Sequence, residues 1–287
     1  MVAARFPRPF VACLALLLGL ARVVAAEDVL SGLDFGALSP REVRVYRPEG
    51  PLAPDIPVLV ALDGQSLGAW HVADALAAAA AAGRRPPLVV AIAAGPDRLE
   101  EYGLADQPDF AGRGRRAAEL QRFIIGAVLP AVRARYGVRA EAAHTGVMGA
   151  SLGGLAAFDL AWRHADVFGF AGVFSGALWW RGDDATPAAR QASRLVHRLV
   201  RETTTPPRLR LWFEAGTRDE TSDRDGNGVI DAVQDTTELV ALLEQCGFRR
   251  DRDVTYVEVA GGEHNEATWG RALPAFLEWS LPAAGRP

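Results

Sequence analysis

Gly149-Ala150-Ser151-Leu152-Gly153 sets a serine between two glycines in the spacing G-x-S-x-G. The residues before it, His144 to Ala150, read as a short buried strand. Those after it, Leu152 to Trp162, read as an apolar helix. A serine held in so sharp a strand–turn–helix bend presents its hydroxyl above the sheet edge as a nucleophile for acyl transfer. The N–H of Leu152, at the start of the helix, then faces any oxyanion that forms there.

A serine hydroxyl needs a base, and the chain has 5 histidines. His164 reads as a surface residue near the end of the helix after Ser151, and His197 as a solvated position on an Arg-rich helix. His144 belongs to the far end of the strand, and His71 follows Trp70 in a loop. His264 lies in Ala260-Gly-Gly-Glu-His264-Asn265, just past a candidate strand, on the same carboxyl edge as Ser151. It is the expected base, and it completes the chain order Ser, acid, His of hydrolases of this architecture. The acid falls between them. Asp219, in the turn after a strand ending near Glu214, is preferred, with Glu220 and Glu214 as open alternatives. Asp63-Gly64-Gln65 follows an apolar strand, and the backbone N–H of Gln65 is the expected second oxyanion donor.

These residues need a sheet to carry them. Apolar β-type runs at 42–47, 57–63, 88–93, 145–150, 168–174, 208–214 and 253–259 alternate with helical patterns at 72–82, 115–136, 152–164, 188–201, 236–246 and 268–281. The pattern is α/β, with a mostly parallel central sheet and helices on both faces. No linker or repeat divides it. Two polar segments, 95–116 and 217–235, follow strand ends where such sheets keep their ligands.

Composition narrows the chemistry. All 31 basic residues are arginine, which removes lysine Schiff bases and a P-loop lysine. A net charge of −4 argues against a nucleic-acid partner. Residues 1–26 carry Arg5 and Arg8, an apolar core and Val24-Ala25-Ala26 before Glu27, the make-up of an export signal. The expectation is a periplasmic or secreted protein with a single domain, 27–287, and no stable membrane insertion. With Cys13 removed, Cys246 remains alone, so neither an intramolecular disulfide nor a cysteine metal site is expected.

Asp223-Arg-Asp225-Gly-Asn227-Gly228-Val-Ile230-Asp231 follows a Ca²⁺ loop through nine positions, but Gln234 stands where a bidentate Glu belongs. The chemistry itself requires no cofactor. The loop is either a structural Ca²⁺ site held by Asp223, Asp225, Asn227 and Asp231 or an acidic turn closed by Asx hydrogen bonds.

Over residues 40–280, the stretches Val45-Tyr46-Arg47-Pro48, Val58 to Gln65 and Val147 to Leu155 resemble an esterase family on the α/β-hydrolase fold. That family includes esterase D-type enzymes, enterochelin and feruloyl-type esterases and mycolyltransferases. Arg98 to Tyr102, Phe174 to Trp180, Leu211 to Gly216 and Gly261 to Trp269 are most similar to its enterochelin-esterase branch. The resemblance implies Ser151 as nucleophile, His264 as base and Gly64-Gln65 as the oxyanion region. It implies Trp179 and Trp180 beside an acyl or aryl pocket, and Arg98, with Arg181, as local cations for a substrate. It implies serine-dependent cleavage of a small-molecule or glycan-linked ester. Acyl transfer from the same site, or binding without catalysis, stands as the alternative.

Overall fold

The computed structural model describes residues 24–48, 50–139 and 141–283. The expected leader, 1–26, therefore lies outside the described residues up to position 23. The chain runs β1 (Val24–Val29), β2 (Val43–Pro48), β3 (Val58–Leu62), α1 (Val72–Ala81), β4 (Leu88–Ile92) and a short α2 (Arg98–Glu101). Next come α3 (Ala117–Phe123), α4 (Leu129–Tyr136), β5 (Thr145–Ala150), α5 (Leu152–Arg163) and β6 (Phe170–Phe174). The last part holds α6 (Pro187–Ala192), α7 (Leu195–Glu202), β7 (Arg210–Arg218), α8 (Asp231–Gln245), β8 (Val254–Glu263) and α9 (Glu266–Ser280).

Eight strands form one sheet in the order β1-β2-β4-β3-β5-β6-β7-β8. The pairs β1–β2 and β2–β4 are antiparallel, and every pair from β4 to β8 is parallel. Side chains alternate across a strand, and the core divides accordingly. Val58, Val60 and Leu62 join Val90, Val147, Val173 and Phe213 under α3, α4, α5, α7 and α8. Leu59 and Ala61 join Val89, Met148, Phe174 and Trp212 under α1 and α9. Burial on both faces explains why β3 and β4 read as unbroken apolar runs.

The differences from the expected elements have local causes. β1 pairs on the outer side of β2 and starts inside the expected leader, so the expected cleavage point between Ala26 and Glu27 falls within this strand. The helix expected over 115–136 is α3 and α4 joined through a π-helical turn, Ile124–Val128. That turn precedes Pro130, which has no N–H to continue the ladder. The helix expected over 188–201 is two helices, because Ser193 and Arg194 leave helical geometry between them. His197, expected in solvent, is buried instead. Its Nε2 lies 2.9 Å from the Asp235 carbonyl oxygen, and burial pushes its pKa down to about 3. The most consequential difference is that β7 and β8 both run four residues past their expected ends.

Candidate active site

Four neighbouring parallel strands end side by side, and the residues just beyond those ends assemble the site. Ala150 pairs with Phe174 across β5–β6, and Phe174 with Glu214 across β6–β7. Ser151 and Ser175 therefore emerge next to each other, and the Ser151 N–H donates to the Phe174 carbonyl at 3.0 Å. Ser151 sits at φ 57° and ψ −125°, a left-handed conformation that a non-glycine residue enters only under constraint. The flanking glycines permit the bend. A Cβ on Gly149 would stand 2.5 Å from the Gly153 backbone, so the strand end and the helix start touch main chain to main chain. Leu152 opens α5, where its N–H has no acceptor within the helix.

The extended ends of β7 and β8 bring the next two residues together. Arg218 pairs with Glu263, so Asp219 and His264 leave the sheet opposite each other. Asp219 Oδ1 lies 3.7 Å from His264 Nδ1. The Asp219 side chain is 1% exposed, whereas that of His264 is 41% exposed. Asp219 Oδ2 accepts the Gly216 N–H at 3.3 Å, which closes the turn and fixes the carboxylate. The His264 ring stands edge-on to Trp269, with centroids 5.3 Å apart and planes at 86°.

The other two candidate acids point elsewhere. Glu214 is fully buried against Ser175, with its Oε2 3.4 Å from Ser175 Oγ. Burial, with Asp219's charge second, pushes its pKa up to about 8. Glu220 faces the 222–232 segment, where burial and the neighbouring Asp231 raise its carboxyl above the usual range.

The second donor loop is latched from two sides. Asp63 adopts φ 54°, and Gly64–Ser66 form a single 3-10 turn after it. The Gln65 side chain holds the turn by accepting the Ala94 N–H through Oε1 at 2.9 Å. Arg98 donates to both oxygens of Asp63 at 2.7 Å and lies 4.8 Å over the Tyr102 ring. Tyr102 Oη in turn accepts the Asp63 N–H at 3.1 Å. Arg98 was expected to meet a substrate. The structure instead commits its guanidinium to Asp63, so it braces the loop of Gly64 and Gln65.

Two cavities adjoin these groups. One of about 280 Å³ is lined by Ser175, Ala177, Trp179, Asp219, Glu220 and His264, among others. Beyond Trp179 and Glu220 it meets a cleft of about 490 Å³ with Phe110, Arg113, Arg181 and Arg224 in its walls. The Cζ atoms of Arg113 and Arg181 lie over the Trp179 ring, 5.3 and 5.5 Å from its centroid. Trp180, expected beside it in the pocket, is fully buried and donates its indole N–H to the Gln107 carbonyl at 3.0 Å. Its ring anchors the segment 95–116 and has no surface left for a ligand.

The 223–231 loop closes on itself. Asp223 accepts the N–H groups of Asn227 and Gly228 at 3.1 and 2.9 Å, and Asn227 Oδ1 that of Val229 at 2.7 Å. Gln234 donates to Asp225 at 2.9 Å, and Asp231 accepts the Arg224 N–H at 2.9 Å and faces its guanidinium at 3.3 Å. Among the described residues no three His, Cys, Asp or Glu side chains converge on one point. These hydrogen bonds close the loop as an acidic turn, and a melting temperature that EGTA shifts by less than about 1 °C would leave it as that turn alone. A fall of several degrees, restored by Ca²⁺, would assign the loop to a cation.

Sequence reasoning gave no role to Ser175 or Trp269 and did not join Asp63, Arg98 and Tyr102 as one latch. Their positions depend on strand register and loop docking, for which no local pattern exists.

The family described as "Putative esterase" matches residues 38–279. The chain belongs to this family, and its sheet and helices have the α/β-hydrolase fold. No curated protein matches the chain in sequence. Among solved structures, enterobactin esterase from Shigella flexneri superposes with a TM-score of 0.65 at 20% identity, over 88% of this chain and 58% of that one. The chain thus spans under two thirds of that protein's length. A ferulic acid esterase gives a TM-score of 0.65 at 20% identity, over 88% of this chain and 97% of the other. The siderophore hydrolase EstB from Aspergillus nidulans gives 0.63 at 20% identity, over 97% and 100%. Among the described residues no helix is long and apolar enough to cross a membrane.

Proposed function

We propose that the protein is an exported serine esterase that works through an acyl-enzyme on Ser151. Ser151 Oγ attacks the ester carbonyl carbon while His264 takes its proton. The carbonyl oxygen becomes an oxyanion, which the N–H groups of Leu152 and Gln65 receive. As the intermediate collapses, the bond to the alkoxy group breaks and His264 returns the proton to the leaving oxygen. Water then attacks the acyl-enzyme, again with His264 as base, and releases the acid and free Ser151. Asp219 holds the imidazole and balances its positive charge during both steps.

The observation that carries this reading is the parallel register Arg218–Glu263, which sets Asp219 against His264 on the edge that bears the strained Ser151. The exposure of His264 favours water over a shielded acceptor, and so hydrolysis over acyl transfer. Trp179 and Phe110 in the cleft wall favour an ester with an aromatic arm, while Arg113 and Arg181 beside them are paired with Asp109 and Asp184. Enterobactin and ferulic acid, named for two of the similar structures, are compatible with that preference. Export rests on the make-up of residues 1–26.

Purified protein should hydrolyse p-nitrophenyl esters and be labelled on Ser151 by a fluorophosphonate. Absence of both turnover and label across an acyl-chain and aryl panel would end the reading. Expressed from its full gene in a bacterium, the active enzyme should leave the cytoplasm with Glu27 as its first residue. Activity confined to the cytoplasm with residues 1–26 intact would remove export.

A further inference from the structure

Behind Asp219 lies a second buried carboxyl group that the hydrolytic steps do not use. Ser175 Oγ is the junction. It accepts the indole N–H of Trp269 at 2.8 Å, and it lies 3.0 Å from Asp219 Oδ1 and 3.4 Å from Glu214 Oε2. A hydroxyl has one hydrogen and two acceptor positions, and an indole N–H only donates. Trp269 therefore occupies one acceptor position of Ser175, and the single hydroxyl hydrogen serves only one of the two carboxylates. The arrangement is satisfied when one carboxyl group carries a proton and donates to the remaining acceptor position.

Glu214 is the group suited to that role. It is fully buried, and its Oε1 has no hydrogen-bond partner among the described residues, a heavy cost for an ionised carboxylate. Asp219 has the Gly216 N–H on one oxygen and faces His264 with the other. Ser175 itself is held at φ 42°, with its N–H on the Glu214 carbonyl at 2.8 Å. Backbone strain of this kind persists only where the surroundings over-determine it.

We propose that Ser175 and Glu214 are positioning residues of the esterase site: protonated Glu214 donates to Ser175 Oγ, which directs its own hydrogen to Asp219 and fixes that carboxylate toward His264. The proposal rests on the reading of Ser151, His264 and Asp219 as the hydrolytic set. Four kinds of group face Glu214. Asp219 in the turn after β7 raises its pKa, and Arg271 on α9 lowers it. Ser175 after β6 bonds to it, and Tyr256 on β8 has its own hydroxyl pushed up by burial and by the carboxyls around it. Burial dominates, and Glu214 keeps its proton until about pH 8. Above that pH two carboxylates compete for one hydroxyl hydrogen, and the hold on Asp219 loosens.

Glu214→Gln tests this, because an amide donates to Ser175 Oγ at every pH. The wild-type kcat/KM should fall above pH 8, whereas the variant should stay within about threefold of wild type at pH 7, the scale of one net hydrogen bond. It should also lack the alkaline limb up to about pH 9.5. Ser175→Ala should lower kcat by about tenfold or more with KM within about twofold, and should lose the same limb. A Glu214→Gln profile that keeps the wild-type limb, or a wild type with no limb between about pH 7 and 9, overturns the proposal. If Glu214→Gln does not fold, the Ser175→Ala profile decides by the same criterion.

Failure of the parent reading shows itself separately, as a wild type without turnover. The proton is then read from folding. A carboxyl raised to about 8 from an ordinary 4.5 favours the fold below pH 4.5 and loses that contribution as pH climbs through 8. Glu214→Gln should therefore raise the melting temperature more at about pH 8.5 than at about pH 5.5. Equal shifts at both pH values would overturn the protonated state.

Discussion

Ser151→Ala is expected to lower kcat/KM for an ester substrate by about 10⁵-fold or more, with KM little changed. The reason is the division of labour at the strand end. In the proposed mechanism the hydroxyl forms the bond to the substrate, whereas Leu152 and Gln65 offer backbone donors that the substitution leaves in place. Residual activity should thus reflect oxyanion binding alone, and fluorophosphonate labelling should disappear. A variant that retains a tenth of the activity would remove Ser151 from the chemistry. The same position carries a stability signature. A non-glycine residue at φ 57° and ψ −125° costs on the order of 1–3 kcal/mol. Ser151→Gly relieves that strain at an entropic cost of about 0.5–1 kcal/mol in the unfolded chain. The glycine variant should be at least as stable as wild type, and the alanine variant, which keeps its Cβ, should not gain. A glycine variant that melts well below wild type would mean the elbow is unstrained.

His264→Ala is expected to cost nearly as much, about 10⁴-fold or more in kcat, because serine is almost fully protonated without its base. The side chain is exposed at the end of β8 and touches the edge of Trp269, so little packing is lost. Its melting temperature should change by less than about 2 °C, in contrast to a substitution at buried Asp219. The decisive measurement is the double variant. Residues that act as one unit lose activity once, so Ser151→Ala/His264→Ala should fall within about threefold of Ser151→Ala alone. Additive losses would place His264 in a separate role such as substrate binding.

These two residues were also the ones most legible in the sequence. Ser151 was marked by a bend that needs small residues around it, and β5 occupies the expected span 145–150. His264 was marked by its place after an apolar strand on the same edge. The acid was not legible, because Glu214, Asp219 and Glu220 lie within seven consecutive positions around the end of one strand. The continuation of β7 and β8 through Gly216 and Gly262 separates them. A Cβ on Gly216 would lie 2.4 Å from the Gly262 carbonyl oxygen, so only the bare backbones let the two strands stay paired to Arg218 and Glu263. From sequence, the strand was expected to end at 259, before Gly261 and Gly262.

Arg98 and Trp180 show the same limit in the other direction. Residue type suggested a cation and an aromatic wall for a substrate, but neighbours far away in sequence had prior claim on both. Arg98 is taken by Asp63, 35 positions earlier, and Trp180 by Gln107, 73 positions earlier. Periodicity, a glycine-flanked serine and the order of three chemical groups determined the sheet and pointed to Ser151 and His264, because each depends on residues adjacent along the chain. Strand register and loop docking decided which carboxylate meets His264, where Arg98 points and what Ser175 joins. Those outcomes arise from backbone contacts between segments that only folding brings together.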